Sequence, residues 1–176
     1  MLDLYILRHG YAGKRLPDPI KDTQRQLTES GKKEVVQVAK SIKRLKVKFN
    51  YIFSSPWTRA FQTAKIIAAE YKLIKQIEQY EELKPEGNKD FLYNKLKKLN
   101  IESTILIVGH EPYLSNMISD VISNNNNILD KNHNGKSINI VLKKAGLSKI
   151  NITSTFPKLT GELSWLLTPK ILKKVS

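Results

Sequence analysis

Three short apolar runs set the architecture of this chain: Leu4-Tyr5-Ile6-Leu7, Tyr51-Ile52-Phe53-Ser54 and Thr104-Ile105-Leu106-Ile107-Val108. Each has the length and the β-branched or aromatic content of a buried strand. The segments between them carry apolar residues at helical spacing. Over 29–46, Val35, Val38, Ala39, Ile42 and Leu45 share one face with lysines opposite, and Thr28 stands where an N-cap is needed. A second helix is expected over 57–71, started by Pro56, a modest one over 89–99, and another from about Tyr113. Residues 77–80 read as a further strand. The loops are 11–27, with Pro17 and Pro19, and 81–89, with Pro85 and Gly87 as breakers. Strands alternating with helices through residue 123 specify an α/β protein with a mostly parallel central sheet.

The last third reads differently. Residues 137–143 and 149–156 are expected as two strands joined by Lys144-Ala145-Gly146-Leu147, followed by a short strand over 161–167 and a tail or short helix from Pro169. These strands add antiparallel pairs. Asn124-Asn125-Asn126-Asn127 reads as an exposed loop, and His133 lies in a similar loop composition and is given no role.

Composition narrows the function classes. The 176 residues are 40% hydrophobic, enough for the core of one globular domain, 1–176. There is no cysteine, so thiolate catalysis, disulfides and thiolate zinc sites are excluded. No apolar run approaches the roughly 20 residues of a membrane span, and Asp3, Arg8 and His9 interrupt any leader-like stretch, so a cytoplasmic protein is expected. A small complete domain needs no partner to fold, and a monomer is expected. The formal net charge is +14, from 30 Lys+Arg against 16 Asp+Glu. The Lys-Lys pairs at 32–33, 97–98, 143–144 and 173–174 are scattered, with no dense basic run interleaved with aromatics. The charge reads as a solvated surface that attracts anionic substrates rather than as a nucleic-acid footprint.

The chemistry gathers at strand ends. The first run ends in Arg8-His9-Gly10, the second in Ser54-Ser55-Pro56-Trp57-Thr58-Arg59, and the third in Gly109-His110-Glu111-Pro112. Parallel strands bring their carboxyl ends to one edge, where ligands bind in open α/β sheets. Two histidines and two arginines can therefore meet in one pocket. Imidazole is a nucleophile toward phosphorus, and arginine holds phosphate oxygens in a planar fork. A metal site from His9, His110 and a carboxylate is the alternative use of these groups, but no His-x-x-x-His pair or cysteine cluster supports it. No metal or cofactor is expected.

Four stretches in this order resemble the histidine phosphatase superfamily, the phosphoglycerate-mutase-like proteins: Leu7-Arg8-His9-Gly10, Leu27-Thr28-Glu29-Ser30-Gly31, the run 54–64 beginning Ser54-Ser55-Pro56-Trp57-Thr58-Arg59, and Val108-Gly109-His110-Glu111-Pro112. The short chain, Glu82-Leu83-Lys84-Pro85-Glu86-Gly87 and the closing Gly161-Glu162-Leu163-Ser164-Trp165-Leu166 resemble the SixA-type phosphohistidine phosphatase branch. The resemblance implies a three-layer α/β/α sandwich. It implies His9 as the nucleophile that becomes a transient phosphohistidine. Arg8, Arg59 and His110 would be the groups that bind the phosphoryl oxygens, with His110 most useful as a cation beside phosphate. The general acid of the superfamily falls in the region of Glu81 and Glu82, and Glu82 fits the motif better. Asp22 and Arg25, in an Asp-x-x-Arg-x-Leu-Thr pattern, are candidates for the pocket rim or for a structural ion pair. The implied substrate is a histidine-phosphorylated protein such as a phosphotransfer domain. The alternatives are a phosphatase or mutase for small phosphoesters, and a non-catalytic phosphate- or nucleic-acid-binding module.

Overall fold

The computed structural model describes residues 2–123 and 139–175. Its strands are β1 (Leu2–Arg8), β2 (Tyr51–Ser54), β3 (Ile77–Gln79), β4 (Thr104–Gly109), β5 (Leu147–Ser154) and β6 (Thr160–Leu167). They form one sheet in the order β3-β2-β4-β1-β5-β6. β1 runs parallel to β4 in a register from Asp3↔Thr104 to Arg8↔Gly109. β2 lies parallel on the other edge of β4, ending at Ser54↔Val108, and β3 is parallel to β2. β5 and β6 complete the sheet with two antiparallel pairings. The sheet is thus mostly parallel with an antiparallel flank.

Both faces of the central strands are buried, which is why their sequences are continuous apolar runs and not alternating ones. Leu2, Leu4, Ile6, Ile105 and Ile107 enter one core, while Tyr5, Leu7, Leu106 and Val108 enter the other. The helices are α1 (Pro19–Thr23), α2 (Glu29–Arg44), α3 (Thr58–Tyr71), α4 (Lys89–Leu96), α5 (Tyr113–Ser123) and α6 (Pro169–Leu172). Leu92 and Leu96 of α4 and Leu114, Met117, Ile118 and Val121 of α5 fill the first core. Val35, Val38 and Ile42 of α2, Ala60, Ala64 and Ile67 of α3, and Leu172 of α6 fill the second. The result is the expected three-layer α/β/α arrangement. None of the helices among the described residues is long and apolar enough to cross a membrane.

Local chemistry sets the helix starts. Thr28 caps α2 by accepting from the Gly31 amide at 3.0 Å. Within the loop expected over 11–27, α1 is an element the periodicity does not reveal. Asp18 caps it by accepting from Ile20 N, and Pro19 supplies the first helical φ. α4 stops at Leu96, short of the expected residue 99.

The strand expected over 137–143 is a correction. Residues 137–138, Asn124–Asn127 and His133 lie outside the described residues, and 139–143 form no strand. β5 pairs with β1 on one side and β6 on the other, so 139–143 enter no ladder. Instead, this chain segment ties its backbone to the carboxyl end of β1. Leu142 O accepts from Arg8 Nη1 at 2.9 Å, Arg8 N donates to Gly146 O, and Ala145 N donates to the Arg8 and His9 carbonyls.

One glycine fixes how α2 meets the first strand end. A Cβ on Gly31 would sit 2.1 Å from the Tyr11 carbonyl oxygen, which is backbone and cannot swing aside. Gly31→Ala is therefore expected to destabilise the fold by about 2 kcal/mol, the usual scale of overpacking, despite alanine's better helix propensity. Urea unfolding checks this, and an unchanged midpoint contradicts it.

Candidate active site

Parallel pairing carries the ends of β1, β2 and β4 to one edge, and there the sequence-predicted groups converge. His9 follows β1, Arg59 lies in the first turn of α3 after β2, and His110 follows β4. The His9 and His110 rings are 5.1 Å apart between centroids. All three side chains are buried: His9 is 5% exposed, Arg59 4% and His110 1%. With Arg8 they line a cavity of about 490 Å3 at the carboxyl edge of the sheet.

His9 has its tautomer set by its neighbour. Nδ1 lies 2.7 Å from the Gly10 carbonyl oxygen, which only accepts, so Nδ1 carries the hydrogen. Nε2 keeps its lone pair and accepts from Arg59 Nε at 3.2 Å. Burial pushes the His9 pKa down to about 3, helped by the charges of Arg59, Arg8 and Arg25 and opposed by the Gly10 hydrogen bond. The strand end itself is pinned. Gly10 N donates to Thr63 Oγ1 at 3.1 Å, and that hydroxyl donates to Arg59 O at 2.8 Å.

His110 Nε2 lies 2.9 Å from Ser55 Oγ, while Nδ1 is enclosed with no hydrogen-bond partner among the described residues. Burial, then the charges of His9, Arg59 and Arg8, lower its pKa to about 2. The protein's own groups thus hold His110 neutral. A phosphate dianion brings charge of the opposite sign and reverses that balance.

Arg59 is fixed from three sides. Besides His9 Nε2, its Nη1 donates to Asp22 O at 2.8 Å and pairs with Asp22 Oδ2 at 3.4 Å, and the guanidinium lies 4.7 Å from the Trp57 ring centroid. Burial, followed by the field of Arg25, brings its pKa down to about 10, partly offset by Asp22. Arg25 Nε donates to Asp22 Oδ1 at 2.9 Å, and its Nη1 donates to the Ala12 and Gly13 carbonyls. Leu16 N also donates to Asp22 Oδ1. Burial raises the Asp22 pKa, but the Leu16 amide, Arg25 and Arg59 together win and lower it. Asp22 and Arg25 both line the cavity, with Asp22 buried in its wall as the counter-charge to two arginines.

Glu82 lies in a 3-10 turn (Glu81–Leu83), half-buried, and is not among the residues lining the cavity. The next turn folds back over it: a Cβ on Gly87 would meet Glu82 O at 2.0 Å. That fold presents Pro85 and Glu86 to the cavity instead. Glu111 stands on the wall as well, with Asp22 and Glu86. Its Oε2 accepts from Ser115 Oγ, Oε1 is enclosed with no hydrogen-bond partner among the described residues, and burial raises its pKa against the pull of Arg8. Arg15 and Lys144 add two further cations. Trp57, Glu86 and Glu111 stand inside the recognised motifs and could have been flagged there. Thr63 lies inside the 54–64 run, whereas Arg15 and Lys144 carry no sequence signal of their own.

The depressed histidines make stability pH-dependent. Below its ordinary pKa of 6.5, an unfolded histidine binds a proton, while folded His9 and His110 do so only near 3 and 2. The unfolded state binds more protons in that window, so stability is full above pH 6.5 and is lost as pH falls. Each ring contributes a slope approaching about 1.4 kcal/mol per pH unit. Urea unfolding between pH 6.5 and 5 is expected to show the fall, and His110→Gln to remove about half of its slope. An unaltered slope contradicts the assignment.

The model of the histidine phosphatase superfamily (branch 1) matches residues 4–85. An uncharacterized protein of Picosynechococcus is 33% identical over 115 residues, 64% of this chain and 68% of that protein. The phosphohistidine phosphatase SixA of Escherichia coli is 28% identical over 122 residues, 68% of this chain and 74% of that protein. The solved structure of the protein histidine phosphatase SixA complexed with tungstate superposes with a TM-score of 0.77 at 22% identity, covering 97% of this chain and 99% of that one. The matched model, these relatives and the shared fold converge on one assignment: the chain belongs to the histidine phosphatase superfamily, as a phosphatase of its SixA-type branch.

Proposed function

We propose that this protein hydrolyses phosphohistidine on proteins through a covalent intermediate on His9. One observation carries the reading: His9 Nδ1 is committed to the Gly10 carbonyl, which leaves an unprotonated Nε2 against Arg59 in an arginine-rich cavity. A group of that description attacks phosphorus at neutral pH without first losing a proton.

In the first step Nε2 attacks phosphorus and the P–N bond to the substrate imidazole breaks. The ring of His9 takes up positive charge, which the Gly10 carbonyl stabilises through Nδ1–H. Negative charge on the three equatorial oxygens is met by Arg8, Arg59 and His110, with Arg25 and Arg15 at the cavity wall. The departing imidazole takes its proton from solvent water. In the second step water attacks the phosphoenzyme, inorganic phosphate leaves, and Nε2 recovers its lone pair. Imidazole is a better leaving group than an alkoxide, so a positioned acid contributes little. This suits a site in which Glu82 stands off the wall. Glu82→Gln is expected to keep phosphohistidine turnover within about threefold of wild type.

The test is a panel: a histidine-phosphorylated phosphotransfer domain, free phosphohistidine, phosphoserine and an aryl phosphate. Wild type is expected to favour the phosphohistidine substrates. His9→Ala is expected to lower all turnover by roughly a thousandfold or more. Turnover of phosphoserine and aryl phosphate with none of phosphohistidine overturns the substrate assignment. Turnover that survives His9→Ala overturns the nucleophile.

A further inference from the structure

A second concavity, of about 670 Å3, opens beside the active-site cavity. Lys144, on the turn before β5, lines both. Its wall also includes Tyr11 after β1, Lys33, Glu34 and Gln37 on α2, and Lys173 after α6. The Lys144 ammonium lies 4.5 Å from the Tyr11 ring centroid, and Lys173 Nζ is 3.0 Å from Glu34 Oε1. Among the described residues, the groove therefore carries three ammonium groups and one carboxylate. Its positive potential continues into the neighbouring cluster: after burial, the charges of Arg8, Arg25 and Arg59 lower the Lys144 pKa.

The groove does not have the make-up of a second phosphate site. Lys33 and Gln37 are exposed side chains on long or flexible stems. It is better suited to several spaced carboxylates than to one compact anion. Glu34 sits within the row of cations, which suits a protein of mixed polarity more than a uniformly charged phosphodiester backbone.

Resting on the phosphohistidine reading, we propose that this groove docks the protein substrate. An acidic segment of the phosphorylated protein lies along α2 while its phosphohistidine enters the cavity on the other side of Lys144. The contacts are spent on the protein around the phosphoryl group, so they set KM for a phosphoprotein and leave small substrates untouched.

The experiment compares wild type with Lys33→Glu/Lys173→Glu. Because Lys173→Glu faces Glu34, a second variant, Lys33→Glu/Gln37→Glu, tests the same groove with that ion pair kept. The probes are a phosphotransfer domain phosphorylated with phosphoramidate, and free phosphohistidine. Both variants are expected to lose about tenfold in kcat/KM for the phosphoprotein at low ionic strength, mostly through KM, with free phosphohistidine within twofold of wild type. The gap is expected to close in about 0.5 M salt. Equal kcat/KM for the phosphoprotein in wild type and both variants overturns the docking proposal, as does binding of duplex DNA that the variants abolish while phosphoprotein turnover stays unchanged. If wild type turns over neither phosphohistidine probe yet hydrolyses an aryl phosphate, the underlying phosphohistidine reading fails, and the docking proposal with it.

Discussion

The parallel register of β1, β4 and β2 is the constraint on which the site depends. Arg8 aligns with Gly109, and Ser54 aligns with Val108, so three strands end at the same level. Backbone bonds extend that alignment past the strands, from His9 N to Gly109 O and from Ser55 N to Val108 O. A slip of one residue in any pair would send Arg8 and His9, or His110, to the opposite faces of the sheet. Close packing resists such a slip, because Leu4, Ile6, Leu7, Ile105, Leu106 and Ile107 are fully buried between two helical layers and each is fitted to its own neighbours. The hydrophobic pattern and the chemistry are therefore one design: the pairing that buries the core also assembles the cavity.

At that edge the fold concentrates like charge in low dielectric. Arg8, Arg15, Arg25, Arg59 and Lys144 face one cavity with the carboxylates Asp22, Glu86 and Glu111. Burying arginines together costs energy unless each charge is partnered. Asp22 supplies much of the compensation, with one carboxylate oxygen on Arg25, the other toward Arg59, and its backbone carbonyl on Arg59 as well. Burial, reinforced by the surplus positive potential, keeps both histidines neutral. A neutral His9 is what nucleophilic attack requires, and a phosphate dianion is the species such a field attracts.

Much of this was legible in the sequence, and the reasons are particular. The strands were visible because central parallel strands are apolar on both faces, and α2 was visible because Val35, Val38, Ala39 and Ile42 keep helical spacing beneath a Thr28 cap. Arg8, His9 and His110 were visible because each lies within two residues of the end of an apolar run, and Arg59 because it closes the Ser54-Ser55-Pro56-Trp57-Thr58-Arg59 stretch that follows another. The strand expected over 137–143 rests on β-branched residues such as Ile140 and Val141, yet 139–143 form no strand, and the Leu142 carbonyl accepts from the Arg8 side chain instead. The depth of Asp22 was hidden because α1 has too few residues to show periodicity. Glu82 drew attention by its motif, yet the fold-back at Gly87 puts Glu86 on the wall, a consequence of backbone packing that spacing does not encode.

The central claim is that Nε2 of His9 becomes phosphorylated during turnover. Rapid quenching of the protein with a phosphohistidine substrate labelled on phosphorus measures this directly. The account predicts a label on protein that is stable to alkali and labile to acid, that maps to the peptide holding His9, and that forms and decays fast enough to carry turnover. It also predicts no such label on His9→Ala. Turnover at the full rate with no labelled protein, or with the label on any other residue, would contradict it.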